Sequence, residues 1–204
     1  VLHFRSGRQA VNKDVYPDME EFFADCAEAF RKAVVAFYAA GCRYLQLDDT
    51  VWAYLCSEKE CEAARARGDD PDAMVETFAT TISRAVADRP EDMTVATHMC
   101  RGNFQSTWMT QGGYEPVADI MFGNLDVDGF FMEYDSDRAG DFEPLRFVRD
   151  GQLIVLGLIS SKVPELETKD DIMRRLEEAT RHVFIDDICL SPQCGFSSTH
   201  HGNK

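Results

Sequence analysis

Long apolar runs are missing from this sequence. No stretch reaches the ~18 consecutive apolar residues of a membrane span, and residues 1–8 lack the basic start and apolar centre of a secretory leader. A cytoplasmic protein is the expectation. Basic charge is scarce too: 21 Lys and Arg stand against 36 Asp and Glu, a formal net charge of −15. Such a surface repels phosphate backbones and anionic lipid, so neither nucleic acid nor a membrane is expected as a partner. No glycine-rich phosphate loop follows any strand-like run, which removes the main support for a dinucleotide-binding fold. Internal repeats and low-complexity linkers are absent as well.

What is present suits one domain. A chain of 204 residues with 45% hydrophobic content can bury a sizeable core. Its seven cysteines (26, 42, 56, 61, 100, 189 and 194) are odd in number and scattered through helix-like and strand-like runs, so a disulfide scaffold is not expected. Reduced thiols are either packing residues or ligands and nucleophiles. Cys26, Cys42, Cys56, Cys61 and Cys189 read as packing.

Helix and strand signals alternate. Asp18 with Glu21 after Pro17 opens a helix that runs to a stop at Gly41. A strand is expected over 43–49, and Asp70 with Pro71 starts a second helix that ends before Pro90. Strand-like runs follow at 93–100, 129–135, 152–160 and 187–192, separated by helical patterns over 115–123, 142–149 and 169–183, the last capped by Thr168. Five strands alternating with helices imply parallel pairing through crossover units. The class is α/β. The run "LIVLGLI" is continuously apolar, as in strands covered on both faces. A (β/α)8 barrel is favoured, although such barrels take ~250 residues and eight strands. The expectation is therefore a single partial barrel domain over 1–204, with its first strands and last helix outside the sequence.

Polar residues collect at the carboxyl ends of these strands, where the loops of a parallel barrel converge on an active site. Asp48 and Asp49 end the first, His98 and Cys100 the second, Glu133 and Asp135 the third, and Ser160 and Ser161 the fourth, while Cys194 follows the fifth. Residues two apart in a strand share a face, so His98 and Cys100 can meet one point. His, Cys, Glu and Cys offer nitrogen, sulfur and oxygen donors that suit tetrahedral zinc better than magnesium or calcium. The plainer alternative makes His98 a hydrogen-bonded core histidine, pairs Glu133 with Arg138 or Arg101, and leaves both cysteines as packing.

The segments "LQLDD", "THMCRGNF", "FFMEYDSDRAGDFEPLR", "GLISSKVPELE" and "LSPQCGFSST" resemble, in order, the strand-end motifs of the cobalamin-independent methionine synthase family, above all its short single-barrel relatives. The likeness runs from about Tyr16 to Asn203. It implies a zinc site of His98, Cys100, Glu133 and Cys194, and a substrate site in which Asp48 receives the amino group of homocysteine. Methyl transfer to the homocysteine thiol, giving methionine, is the activity implied.

The sequence departs from that family in two places. Asp49 and Thr50 stand where the family has Glu and Pro, so Asp49 is either a second substrate contact or a strand-end cap. Ser160 or Ser161 occupies the place of a histidine that full-length members use to protonate the leaving donor; serine cannot act as a general acid near neutral pH, and Ser160 is expected instead as a substrate contact. The donor expected is methyl folate or a methyl corrinoid, the latter needing no proton on its leaving group and possibly carried by a protein. Arg138 reads as a substrate-carboxylate contact or an exposed ion pair, Trp52 and Trp108 as donor-pocket walls or packing, and His200 and His201 as late ligands or a frayed end. Two other functions stay open: a zinc-dependent reaction of another thiol, such as coenzyme M, with an epoxide, and a barrel that holds zinc for structure only. Porphyrinogen decarboxylases share the fold but not the His-x-Cys and Cys-Gly pairs.

Overall fold

The computed structural model describes residues 4–195, 197 and 199–202. Phe196, Ser198 and Asn203, which belong to the last motif and its limit, lie outside the described residues. Helix α1 (Met19–Ala39) begins where the Asp18 side chain accepts the Glu20 N–H. It closes in a Schellman turn, with Gly41 N–H on the Tyr38 carbonyl and Cys42 N–H on that of Phe37. Gly41 sits at φ +97°, a conformation that costs other residues strain. Strand β1 (Tyr44–Asp48) follows.

Two helices come next that the sequence pattern did not announce. Helix α2 (Val51–Leu55) is buried at every position and too short to show a period, while α3 (Glu58–Ala66) buries only three residues beneath a charged face. Helix α4 (Pro71–Val86) starts as expected, Asp70 capping the N–H groups of Asp72 and Ala73 ahead of Pro71. Then come β2 (Thr94–Met99), α5 (Glu115–Asn124), β3 (Gly129–Glu133), β4 (Leu153–Ile159), α6 (Lys169–Ala179) and β5 (Ile188–Pro192). The helical pattern over 142–149 is only a 3-10 turn, Glu143–Phe147.

The five strands form one parallel sheet in chain order, each beside the next. The core lies between the sheet's outer face and the helices, where Val95, Met99, Phe130, Ile154 and Leu156 meet Phe78, Met121 and Phe122 from α4 and α5. On the inner face the register sets Asp48 beside His98, His98 beside Phe131, and Glu133 beside Gly157. Gly157 is required there, because a Cβ would stand 2.9 Å from the Met132 carbonyl oxygen. Cys189 pairs with Val155 on this inner face and is exposed, contrary to the packing role expected of it. Its strand lies at the sheet's edge, and nothing among the described residues covers that face. Cys56 and Cys61 are buried, and Cys26 and Cys42 partly so.

Candidate metal centre

Four of the expected residues come together at the carboxyl end of the sheet. One donor atom from each of His98, Cys100, Glu133 and Cys194 lies within 4.8 Å of the other three. The two sulfurs are 3.3 Å apart, the Cys194 thiol donates to Glu133 Oε1 at 2.5 Å, and His98 Nε2 stands 4.0 Å from the same oxygen. Tetrahedral zinc with Zn–S of about 2.3 Å and Zn–N or Zn–O of about 2.0–2.1 Å places its ligand atoms roughly 3.3–3.8 Å apart. The donor set therefore fits zinc in kind and, within a few tenths of an ångström to an ångström of adjustment, in spacing. Two thiols and a carboxylate crowded this closely cannot all ionise without a cation between them.

The electrostatics are those of a site that shares protons. Cys194, hydrogen-bonded to Cys100, partly buried, and facing the Glu133 charge, has its thiol pKa pushed well up. Cys100, in hydrogen-bond contact with Cys194 and accepting from the Gly102 N–H, falls to about 7 against the cost of burial. For His98, burial opposes the charged form, but the Asp48 hydrogen bond and the charges of Cys100, Asp48 and Glu133 outweigh it and raise the pKa. Asp48 Oδ1 accepts from His98 Nδ1 at 2.9 Å. This bond fixes the tautomer, leaving Nε2 as the lone-pair nitrogen toward Glu133, the usual arrangement of a carboxylate behind a metal-binding histidine.

Other residues brace the four donors. The buried Tyr114 hydroxyl accepts the Glu133 N–H and donates to the Glu133 carbonyl at 3.2 Å, while Arg101 Nε donates to it. Burial raises the Tyr114 pKa to about 12, so it keeps the proton that this bracing needs. Asn103 Nδ2 donates to the Gly195 carbonyl at 2.6 Å, tying the loop after Cys100 to the one that carries Cys194. Sequence reasoning missed Tyr114, Asn103 and Gln193. Asn103 and Gln193 lie within two of the strand-end motifs and Gln193 adjoins Cys194, but no periodicity or donor chemistry marks any of the three.

The remaining candidates are placed elsewhere. A cleft of about 420 Å³ opens on the four donors and is lined by Asp48, Gln46, Phe131, Val155 and Ser191, but not by Asp49 or Ser160. Asp49 lines a second pocket beneath α1 and α4, which Asp48 also borders, and its Oδ1 accepts the Val51 N–H at the start of α2. Ser160 donates to Asp135 Oδ2 at 2.8 Å. Arg138 is no exposed ion pair: its side chain is 6% exposed and bridges Glu133 and Asp135. Trp52 is packing, buried completely, whereas Trp108 is half-exposed and lies over the Arg138 guanidinium. His200 and His201 stack on each other, apart from the four donors. No helix among the described residues is long and apolar enough to cross a membrane.

Comparisons with known proteins identify the family. The family described as cobalamin-independent synthase, catalytic domain, matches residues 8–203. The uncharacterized protein YxjH of Bacillus subtilis is 55% identical over 196 residues, 96% of this chain and 52% of that protein. The methionine synthase of Pyrococcus abyssi is 25% identical over 182 residues, covering 89% of this chain and 45% of its own length. The crystal structure of a putative vitamin-B12 independent methionine synthase from Listeria monocytogenes superimposes with a TM-score of 0.69 at 41% identity, covering 89% of this chain and 51% of that one. The chain thus spans about half the length of the relatives it matches, and its five parallel strands are part of their barrel. It belongs to the cobalamin-independent methionine synthase family, as part of that family's catalytic domain.

Proposed function

We propose that the chain carries the zinc site of a methyltransferase that moves a methyl group onto the thiol of homocysteine and so forms methionine. The supporting observation is the convergence of His98, Cys100, Glu133 and Cys194 at the strand ends, in a chain whose distant relatives bear the name methionine synthase. Zinc bound there supplies a Lewis acid that keeps a substrate thiol ionised near neutral pH, where a free thiol of pKa ~8.5 is mostly protonated.

The chain's own residues bind and orient. Asp48 stands at the cleft mouth with its side chain 66% exposed, holding His98 through one oxygen and offering negative charge to the substrate's ammonium group. Phe131 and Val155 give the cleft an apolar wall for the methylene chain. In the reaction the new sulfur–carbon bond forms as the donor–methyl bond breaks, and the thiol proton passes to solvent. At the end of β4, Ser160 is engaged with Asp135 and carries no proton that titrates near neutrality. A methyl corrinoid, whose bond-breaking electron pair stays on cobalt, therefore suits these residues better than methyl folate. The rest of the barrel belongs against the free edges of β1 and β5.

The test is methionine formation, followed by mass spectrometry, when the zinc-loaded protein is given homocysteine with methylcobalamin or with methyltetrahydrofolate. Methionine from the corrinoid is expected. No methionine from either donor contradicts the reading, and turnover of coenzyme M with an epoxide instead moves the assignment to that reaction.

A further inference from the structure

The buried guanidinium of Arg138 contacts groups from two of the ligand-bearing strand ends and is covered by a third. It lies just beyond β3 in a 3-10 turn, Asp137–Ala139. From its Nη2 alone run three contacts: to Glu133 Oε2 at 3.4 Å, to Asp135 Oδ1 at 2.7 Å and to Gln193 Oε1 at 3.1 Å. The Trp108 ring, from the loop that follows Cys100, lies 4.7 Å from its Cζ and closes it from above. Neither Nε nor Nη1 has a hydrogen-bond partner in the structure, although both are buried.

We propose that Arg138 is a positioning residue of the centre: by holding Oε2 of Glu133 and the side chain of Gln193 with one nitrogen, it turns Oε1 of Glu133 toward the two sulfurs and keeps Cys194, carried beyond an edge strand, beside them. The inference rests on the metal reading above. Glu133 and Asp135 have side chains only 2% and 4% exposed, so without this cation two carboxylates of like charge would share a buried corner. Glu133 would then be repelled from Asp135 and free to turn. Gln193 immediately precedes Cys194, so release of its Oε1 loosens a ligand that β5, paired on one side only, cannot hold alone. Outer partners of metal ligands typically change metal affinity 10–100-fold when removed.

A lysine ammonium carries three hydrogens on one nitrogen, which matches the three acceptors that Nη2 serves. The test compares Arg138→Gln, Arg138→Lys and Gln193→Leu with the parent protein, loading each with cobalt as a spectroscopic stand-in for zinc. Affinity is read by chelator competition and ligand geometry by the visible absorption. The expected result is that Arg138→Gln weakens cobalt binding 10–100-fold and shifts the d–d bands while keeping the thiolate charge-transfer band. Arg138→Lys restores both within a few-fold, and Gln193→Leu gives a smaller weakening of the same kind. A merely structural arginine lowers the melting temperature but leaves the cobalt spectrum and affinity of the folded protein unchanged; that result, or a folded Arg138→Lys protein no better than Arg138→Gln, overturns the proposal. Should Arg138→Gln not fold, an unchanged cobalt affinity in Gln193→Leu overturns it. Failure of the parent protein to bind cobalt at all defeats the metal reading instead, a distinguishable outcome.

Discussion

The middle of the sheet and its two edges are built to different standards. In β3 four of five residues are buried, on both faces, whereas β1 and β5 have no fully buried position. Tyr44 and Leu190, one on each edge strand, remain about half exposed. The centre behaves as finished barrel wall, and the edges are where further strands would pair. The four proposed metal ligands straddle this divide. His98 and Glu133 belong to central strands, but Cys194 follows the edge strand β5, where Asn103 bonds the Gly195 carbonyl and Arg138 bonds the neighbouring Gln193. A site need not sit wholly on the best-packed part of a fold if side-chain links carry order outward from it.

The largest expected effect ignores the divide. His98→Ala, at the centre, and Cys194→Ser, beyond the edge, each reduce bound zinc far below one ion per chain, measured by elemental analysis after dialysis. A Cys194 variant that keeps stoichiometric zinc would show the edge ligand to be dispensable. Core packing follows the divide sharply: Phe130→Ala, wholly buried at the centre, should cost about 3–5 kcal/mol in denaturant unfolding, and Leu190→Ala less than about 1 kcal/mol. Equal costs would mean that the β5 edge is covered in solution. Asp48→Asn, which removes the carboxylate behind His98, should weaken zinc 10–100-fold in chelator competition.

The smallest effect concerns the periphery. The Arg5 guanidinium beside Glu60 holds that carboxyl below its ordinary value. The stabilisation is present above the unfolded carboxylate range near 4.5 and is lost as pH falls through the lower folded value. Because Arg5 is partly exposed and screened, Glu60→Gln should cost at most about 1 kcal/mol at pH 7. That difference from the parent should vanish in acid, which thermal melts at pH 7 and pH 3 will check.

Much of this was legible in the sequence, for identifiable reasons. The crossover pattern and the caps at Asp18, Asp70 and Thr168 are local signals, and all three side chains cap in the structure. The strand-end position of His98, Cys100, Glu133 and Cys194 could be read because a parallel sheet delivers every strand's carboxyl end to one side. Illegible were features set by long-range packing. Helix α2 is buried throughout and shows no amphipathic period, and the burial of Arg138 depends on Trp108 and Gln193, 30 and 55 residues away. Asp49 and Asp48 are adjacent in sequence and both line the pocket beneath α1 and α4, yet only Asp48 also lines the cleft on the four donors, so a shared role for the pair does not follow from their adjacency.

The account rests on four side chains from three strand ends holding one divalent ion, and zinc-edge X-ray absorption of the zinc-loaded protein tests that most directly. It predicts two sulfur neighbours at about 2.3 Å and two nitrogen or oxygen neighbours at about 2.0–2.1 Å. A first shell with one sulfur or none would contradict it.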